Sequence, residues 1–340
     1  MLRNAASFLG LCIAVTASGV VAPAVAQAPA STSGDWVVPR TPAGHPDLQG
    51  NWSSATITPL QRPRDQGPTL SWEEVEVREG RAANRLERVS RPSDPDRGAP
   101  RAGRGVGGYN GIYIDAGDVV AKVYGEPRSS LITHPADGRT PELTPAARAR
   151  RAERRESRSQ FGQYDHPELR PLGERCLVSF GSNAGPPMLP NGFYNNNYTI
   201  VQTPDHVVIM AEMVHDARII KIGDGPRLPE HIRPWMGDSW GHWEGDVLVV
   251  ETTNIHPLHQ YSSAEMKVIE RFSRMAEDAV LYEFTIDDPS TYTEPWGAQV
   301  PMVALNDRLY EYACHEGNYA LSNILSGARY QERLEAQNQN

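Results

Sequence analysis

The sequence predicts a mainly β protein: an antiparallel up-and-down barrel with an irregular N-terminal half before it and a helix after it. Eight segments beyond Asn195 read as strands, at 198–203, 206–213, 217–222, 247–253, 266–275, 279–286, 298–305 and 310–313. Each is a short run rich in apolar and β-branched residues. Turn-forming residues separate several of them, at Thr203-Pro204-Asp205, Glu244-Gly245-Asp246 and Glu277-Asp278, the signature of hairpins. Closing the sheet on itself removes the unpaired edges that so many strands would otherwise expose.

The elements before the barrel follow from local signals. Met1 to Asn4 is a short positive region, Phe8 to Val21 is apolar, and Ala24-Val25-Ala26 is a small-x-small cleavage site. Residues 1–26 therefore read as a secretory signal peptide, which places the mature chain in the periplasm or outside the cell. Residues 27–45 are a flexible lead-in, and the segment from Pro46 to Trp52 is the first ordered strand. Residues 46–337 form one barrel domain with a loop- and helix-rich insertion at about 55–175. Within that insertion Ser71 starts a helix over 71–89, with Glu73 and Glu74 in its first turn. Strands are expected near 112–114, 119–123 and 130–133. A second helix, at 144–159, carries Arg148, Arg150, Arg151, Arg154, Arg155 and Arg158 around its circumference and reads as a solvated helix. The tail at 319–337 spaces Leu321, Ile324, Leu325, Ala328 and Leu334 as a helix packed on the outside of the barrel.

Composition sets limits on function. The 340 residues carry 33 basic and 42 acidic side chains, a formal charge of −9. An acidic chain without a long basic run does not suit nucleic acid or an anionic lipid surface. Beyond the signal peptide, no stretch reaches the ~20 apolar residues of a membrane helix, so no membrane insertion is expected. Gly103-Arg104-Gly105-Val106-Gly107-Gly108 matches G-x-G-x-x-G in letters, but no strand precedes it and no helix follows, so it does not read as a dinucleotide site. No P-loop, G-x-S-x-G or H-E-x-x-H motif is present, and no cofactor and no metal are expected. A metal set assembled across strands from His215, His242 and His315 stays open. Cys176 and Cys314 are the two cysteines left after cleavage. In an oxidising compartment they form either a disulfide or two separate buried thiols.

Several motifs are distinctive: Asp47-Leu48-Gln49-Gly50, Asn195-Asn196-Asn197-Tyr198, His215-Asp216-Ala217-Arg218, Gly241-His242-Trp243-Glu244-Gly245-Asp246 and Tyr310-Glu311-Tyr312-Ala313-Cys314-His315-Glu316-Gly317-Asn318. With them the chain resembles a family of exported bacterial proteins of proteobacteria and acidobacteria, largely unassigned in function, over about residues 46–328. The resemblance implies export and carries no catalytic role with it. In strand count the barrel also resembles lipocalins, an analogy of fold that does not fix function.

The candidate site residues come from what the strands place inside. His215 can exchange a proton near neutral pH, and Arg218 can hold a carboxylate or developing oxyanion in bidentate fashion. On strand 279–286, Glu283 alternates with apolar residues, as Glu270 does on strand 266–275; each is either a carboxylate facing a dry cavity or an outward partner of Arg271. His315 beside Cys314 is a second acid/base candidate. Asn195, Asn197 and Tyr198 could orient a hydroxylated ligand, and Trp235, Trp240 and His242, in a loop-rich stretch, could wall an aromatic one. The same residues also suit turns and a plugged barrel end.

Two functions follow. One is a cofactor-independent acid/base enzyme of lyase, hydratase or isomerase type, with His215, Arg218, Glu283 and His315 acting on an aromatic or hydroxylated plant-derived small molecule in the barrel cavity. The other is a periplasmic, lipocalin-like small-molecule binding protein without catalysis. They differ in whether those four residues converge on one point.

Overall fold

A computed structural model describes residues 36–92, 96, 98, 114–180, 183–193, 195–259 and 263–338, with the side chain of His215 excepted. The signal-peptide reading, the Gly-rich stretch 103–108 and most of the strand expected at 112–114 lie outside the described residues.

Nine strands form a closed ring. They are β1 (Gly50–Ser53), β5 (Asn197–Gln202), β6 (His206–Ala211), β7 (Ala217–Ile222), β8 (Asp238–Glu244), β9 (Val247–Thr253), β10 (Lys267–Ala276), β11 (Ala279–Asp287) and β12 (Trp296–Ala304). They pair in that order, and β12 returns to β1 through Trp52 opposite Ala304. The strands β2 (Lys122–Val123) and β3 (Glu126–Pro127) make a separate small hairpin, while β4 (Ile132–His134) lies along β12 at Gly297 and Ala298. Every pairing in the ring is antiparallel except β7 with β8, where Lys221 and Ile222 run parallel to Trp240 and Gly241. A ring with an odd number of strands cannot alternate direction throughout, so one parallel pairing is required. The chain supplies it by the crossover 223–237.

The expected hairpins at 203–205, 244–246 and 277–278 join β5 to β6, β8 to β9 and β10 to β11. Two expectations are corrected. Residues 310–313 form no strand: the arm is held instead by the Tyr310 N–H, which donates to Glu212 Oε1 at 2.9 Å, and by a disulfide. The Trp-rich stretch contains strand β8. Its inward positions are Ser239, Gly241 and Trp243, so the usual apolar alternation is missing. Gly241 lets Ile220 and Ile222 pack closely there: a Cβ would lie 3.1 Å from both, so they would have to give way by a few tenths of an ångström.

Alternate residues of each strand face inward, and they pack solid. Trp296, Tyr282, Phe272, Tyr198, Ile200 and Val268 are all at most 2% exposed and belong to one core. Phe272 and Tyr282 lie 4.9 Å apart, and Phe284 meets Trp296 edge-on at 5.6 Å. Such aromatic pairs contribute about 0.5–1.5 kcal/mol each beyond their burial. Residues 183–189 enter this core from outside the sheet, with Met188 and Leu189 both 1% exposed. The barrel axis is therefore occupied by side chains.

Among the described residues, three α-helices lie outside. The first, α1 (Trp72–Ser90), begins with a capping box: Glu74 N–H donates to Ser71 Oγ, and Ser71 N–H donates to Glu74 Oε2. It buries only Val75, against Leu70 and Val120. The second, α2 (Pro145–Ser159), is capped by Thr144 and buries only Ala147. The third, α3 (Ala320–Asn338), buries no residue. Leu321, Leu325, Ala328 and Leu334 are only half-buried, and Arg329 reaches Asp165 at 3.6 Å. Cys176 and Cys314 are joined in a disulfide, which ties residues 310–319 to the turn at 171–180. Among the described residues, no helix is long and apolar enough to cross a membrane.

Candidate functional site

The register of three strands builds a charged cluster in the middle of the barrel. On β7, Arg218 faces inward two residues before Ile220; on β10, Glu270 faces inward between Val268 and Phe272. Arg218 Nη1 donates to Glu270 Oε2 at 2.7 Å, and Nη2 donates to Oε1 at 2.9 Å, with exposures of 3% and 0%. Tyr282 of β11 donates its hydroxyl to Glu270 Oε1 at 2.8 Å and accepts the Met188 N–H at 2.9 Å. The guanidinium fork thus meets a carboxylate whose remaining acceptor capacity is also used, which makes burial of both charges tolerable. Burial, and then the negative charge of Glu270, push the Tyr282 phenol well above its ordinary range. Burial likewise raises Tyr198, which donates to Asn183 O at 2.8 Å. The inserted segment 183–189 is held at both ends by these two phenols.

Of the expected catalytic residues whose side chains are described, Arg218 belongs to this cluster and Glu283 and His315 do not. Arg218 does face the interior, but Glu270 is the carboxylate that answers it. Because β11 alternates, an inward Tyr282 turns Glu283 outward. There Glu283 accepts from Gln299 Nε2 at 2.8 Å and lies opposite Arg271 in the ladder. His315 is exposed on the disulfide-tied arm. The His215 side chain lies outside the described residues. Its backbone ends a 3₁₀ turn in which Val214 has φ 61°, a conformation that strains a β-branched residue.

The expected ligand-orienting residues are similarly dispersed. Asn195 adopts φ 58°, and its carbonyl accepts from Asn183 Nδ2. Asn197 Nδ2 donates to Glu212 Oε2 at 2.8 Å, which fixes the start of β5 to the start of the β6–β7 turn. Tyr198 is fully buried. Trp235 lies against His256 with ring centroids 4.0 Å apart. Trp240 lies beneath Lys221 and Arg227, at 4.8 and 5.6 Å, on the outer face of β8. His242 shares that face and contacts Glu244 at 3.3 Å. Tyr198 belongs to the core and the others order loops and the outer wall; they do not line one hollow. Among the described residues, no group of three His, Cys, Asp or Glu is disposed to hold a metal ion.

A different surface brings chemistry together. Thr144, the N-cap of α2, donates its hydroxyl to Ser290 O at 2.9 Å, and its N–H bonds Thr291 O. The small side chain of Ala147 then lets the first turn press against the β11–β12 loop, where it is 2% exposed. Arg150, Arg151 and Arg154 follow at +3, +4 and +7, the same face of the helix. With Leu258, His259, Ser263, Glu265, Ser290 and Thr291 they line a cleft of about 550 Å³. Arg150 Nη2 is anchored on Ser290 O at 2.9 Å and Thr291 Oγ1 at 3.3 Å. Arg151 and Arg154 have no partner among the described residues. Under this cleft, the buried Asp288 Oδ1 accepts from both Ser263 Oγ and Ser290 Oγ at 2.8 Å, which fixes the floor.

Sequence reasoning passed over this cleft because arginines surround α2. Ala147 carries no signal of its own in the sequence, since Ala146 and Ala149 are as small and lie on other faces; its burial marks the face that approaches the barrel, and the arginines one and two turns on share it. No protein-family model matches the chain, and no match to it was found among curated proteins or among solved structures.

Proposed function

We propose that this chain is an exported, periplasmic or secreted, binding protein for small organic anions, holding its ligand in the cleft beside α2 and outside the barrel. The observation that carries the reading is the convergence of Arg150, Arg151 and Arg154 on a cleft of about 550 Å³. That volume falls within the usual range for small-molecule sites. The helix bears six arginines and two glutamates, in a chain whose formal charge is −9. The protein as a whole repels anions, so the attraction is local to this helix. Planar guanidinium forks suit carboxylate, sulfonate or phosphate oxygens. The disulfide and the signal-peptide pattern support export to an oxidising compartment.

The acid/base reading needed four residues around one substrate. Arg218 is sequestered by Glu270, Glu283 faces outward and His315 is on the surface, so binding without catalysis is the better supported of the two functions. Calorimetric titration of the mature protein with benzenesulfonate and with citrate tests the proposal. Affinity is expected to fall at least tenfold in Arg151→Gln/Arg154→Gln, with the melting temperature unchanged because both side chains are exposed. It should also weaken between low salt and physiological ionic strength. Absence of binding, or binding indifferent to the double substitution, would refute the site.

A further inference from the structure

Beside the arginine cleft lies a second hollow of about 220 Å³, lined by Leu172, Val178, Phe180, Ala184, Leu258 and His259 among others. Leu258 and His259 also line the arginine cleft, so the two hollows meet at the turn that follows β9. One is cationic and the other predominantly apolar. Resting on the anion-binding reading above, we infer that the ligand is an amphiphile: its anionic head sits on Arg150, Arg151 and Arg154, and its alkyl or aryl tail passes Leu258 into the second hollow.

Two features of the apolar hollow support a tail. First, Phe180 and Leu258 are each 50% exposed at its rim. Large apolar side chains left half in water beside a hollow gain from a tail that covers them. Second, the hollow is pre-formed. Gly173 lies so close beneath Phe180 that a Cβ there would sit 2.7 Å from the ring. The turn carrying Leu172 and Gly173 closes through Leu177 N–H to Leu172 O, and Cys176 in that turn is bonded to Cys314. A site held in shape by a covalent tie loses little conformational freedom on binding.

The head alone explains affinity for any organic anion; the tail makes a further demand, that affinity rise with chain length. Sodium acetate, hexanoate, octanoate and decanoate, each below its micellar concentration, are titrated calorimetrically into the mature wild-type protein, Leu258→Ser and Arg151→Gln/Arg154→Gln. In wild type, affinity is expected to climb by up to roughly fourfold per methylene buried, then level off as the small hollow fills. Leu258→Ser should flatten that climb, and the arginine pair should lower the whole series by a common factor. Flat affinity across the series, with the arginine effect intact, overturns the amphiphile and leaves the anion site standing. A climb that Leu258→Ser does not touch places the tail elsewhere and also overturns it. If no member binds, or the arginine pair has no effect, the anion reading falls as well.

Discussion

Arg218 and Glu270, on strands separated in the ring by β8 and β9, meet inside the barrel through two parallel hydrogen bonds of 2.7 and 2.9 Å. Removing one partner strands the other charge in a dry core, at a cost of about 3–5 kcal/mol. Glu270→Gln is expected to lose that much in urea unfolding. Arg218→Met/Glu270→Leu, which removes both charges, should recover most of it. A loss below about 1 kcal/mol in the single variant would mean that water reaches the pair.

Tyr282 joins this pair to the inserted segment, since its hydroxyl donates to Glu270 and accepts from the Met188 N–H. Tyr282→Phe leaves the buried Met188 N–H unpartnered, at a cost of about 1–3 kcal/mol. Hydrogen exchange reports it directly: the Met188 amide should lose protection relative to core amides of β11. Equal protection in both proteins would show that the phenol does not anchor the segment.

The same burial governs behaviour in alkali. Tyr198 and Tyr282 are both raised above their ordinary range, chiefly by burial. The folded protein therefore keeps protons that the unfolded chain releases near pH 10. Their stabilising contribution is complete below that pH and declines as pH rises above it, by about 1.4 kcal/mol per unit for each phenol. Urea midpoints should fall steeply between about pH 10 and 11.5. Tyr198→Phe, less stable at neutral pH, should show a shallower fall; identical slopes would contradict the assignment.

The disulfide spans 138 residues. In the chain-entropy treatment, closing a loop of that size contributes about 4–5 kcal/mol. Cys176→Ser/Cys314→Ser should lose that order of stability and become sensitive to protease within residues 306–319, while the core's near-ultraviolet circular dichroism persists. Unaltered cleavage would mean that the hydrogen bonds of Asp307, Tyr310 and Asn318 hold the arm without the disulfide.

Glu283 and His315 provide the contrast. Both lie outside the core, so Glu283→Gln and His315→Ala should shift stability by no more than about 0.5 kcal/mol. Neither should alter benzenesulfonate binding measured by calorimetry. Loss of binding in either variant would move the functional site away from α2.

Much of the architecture was legible because its determinants are local. The hairpins at 203–205 and 277–278 and the cap at Ser71 are read from a few adjacent residues, and they occur where read. What depends on register was not legible. Glu270 stands between Val268 and Phe272 at period two and Glu283 between Leu281 and Thr285, and each can be read facing in or out. Only the ladder, which sets Glu270 opposite Phe284 and Arg271 opposite Glu283, decides which faces in. Strand β8 was hidden because Trp240, Gly241 and His242 interrupt the alternation of apolar residues. The arginine cleft depends on which side of α2 approaches the barrel, a tertiary fact that Ala146, Ala147 and Ala149, equally small and on different faces, leave open in the sequence.

The ring pairs β1 with β5 on one side and β12 on the other, and β1 is four residues long. The remaining strands fall into two meanders, β5–β7 and β8–β12, each built from neighbours in sequence. Their ladders are joined directly only through the two residue pairs of the parallel contact, while Arg218 and Glu270 bridge them across the interior. The ring's first strand in sequence is thus a clasp between two halves that both follow it in the chain. Its partners lie about 150 and 250 residues downstream, so closure belongs to the slow, non-local stage of folding. Until then Thr199 and Val303 stand on open edges. A chain lacking residues before 55 is expected to keep both meanders and to associate edge to edge.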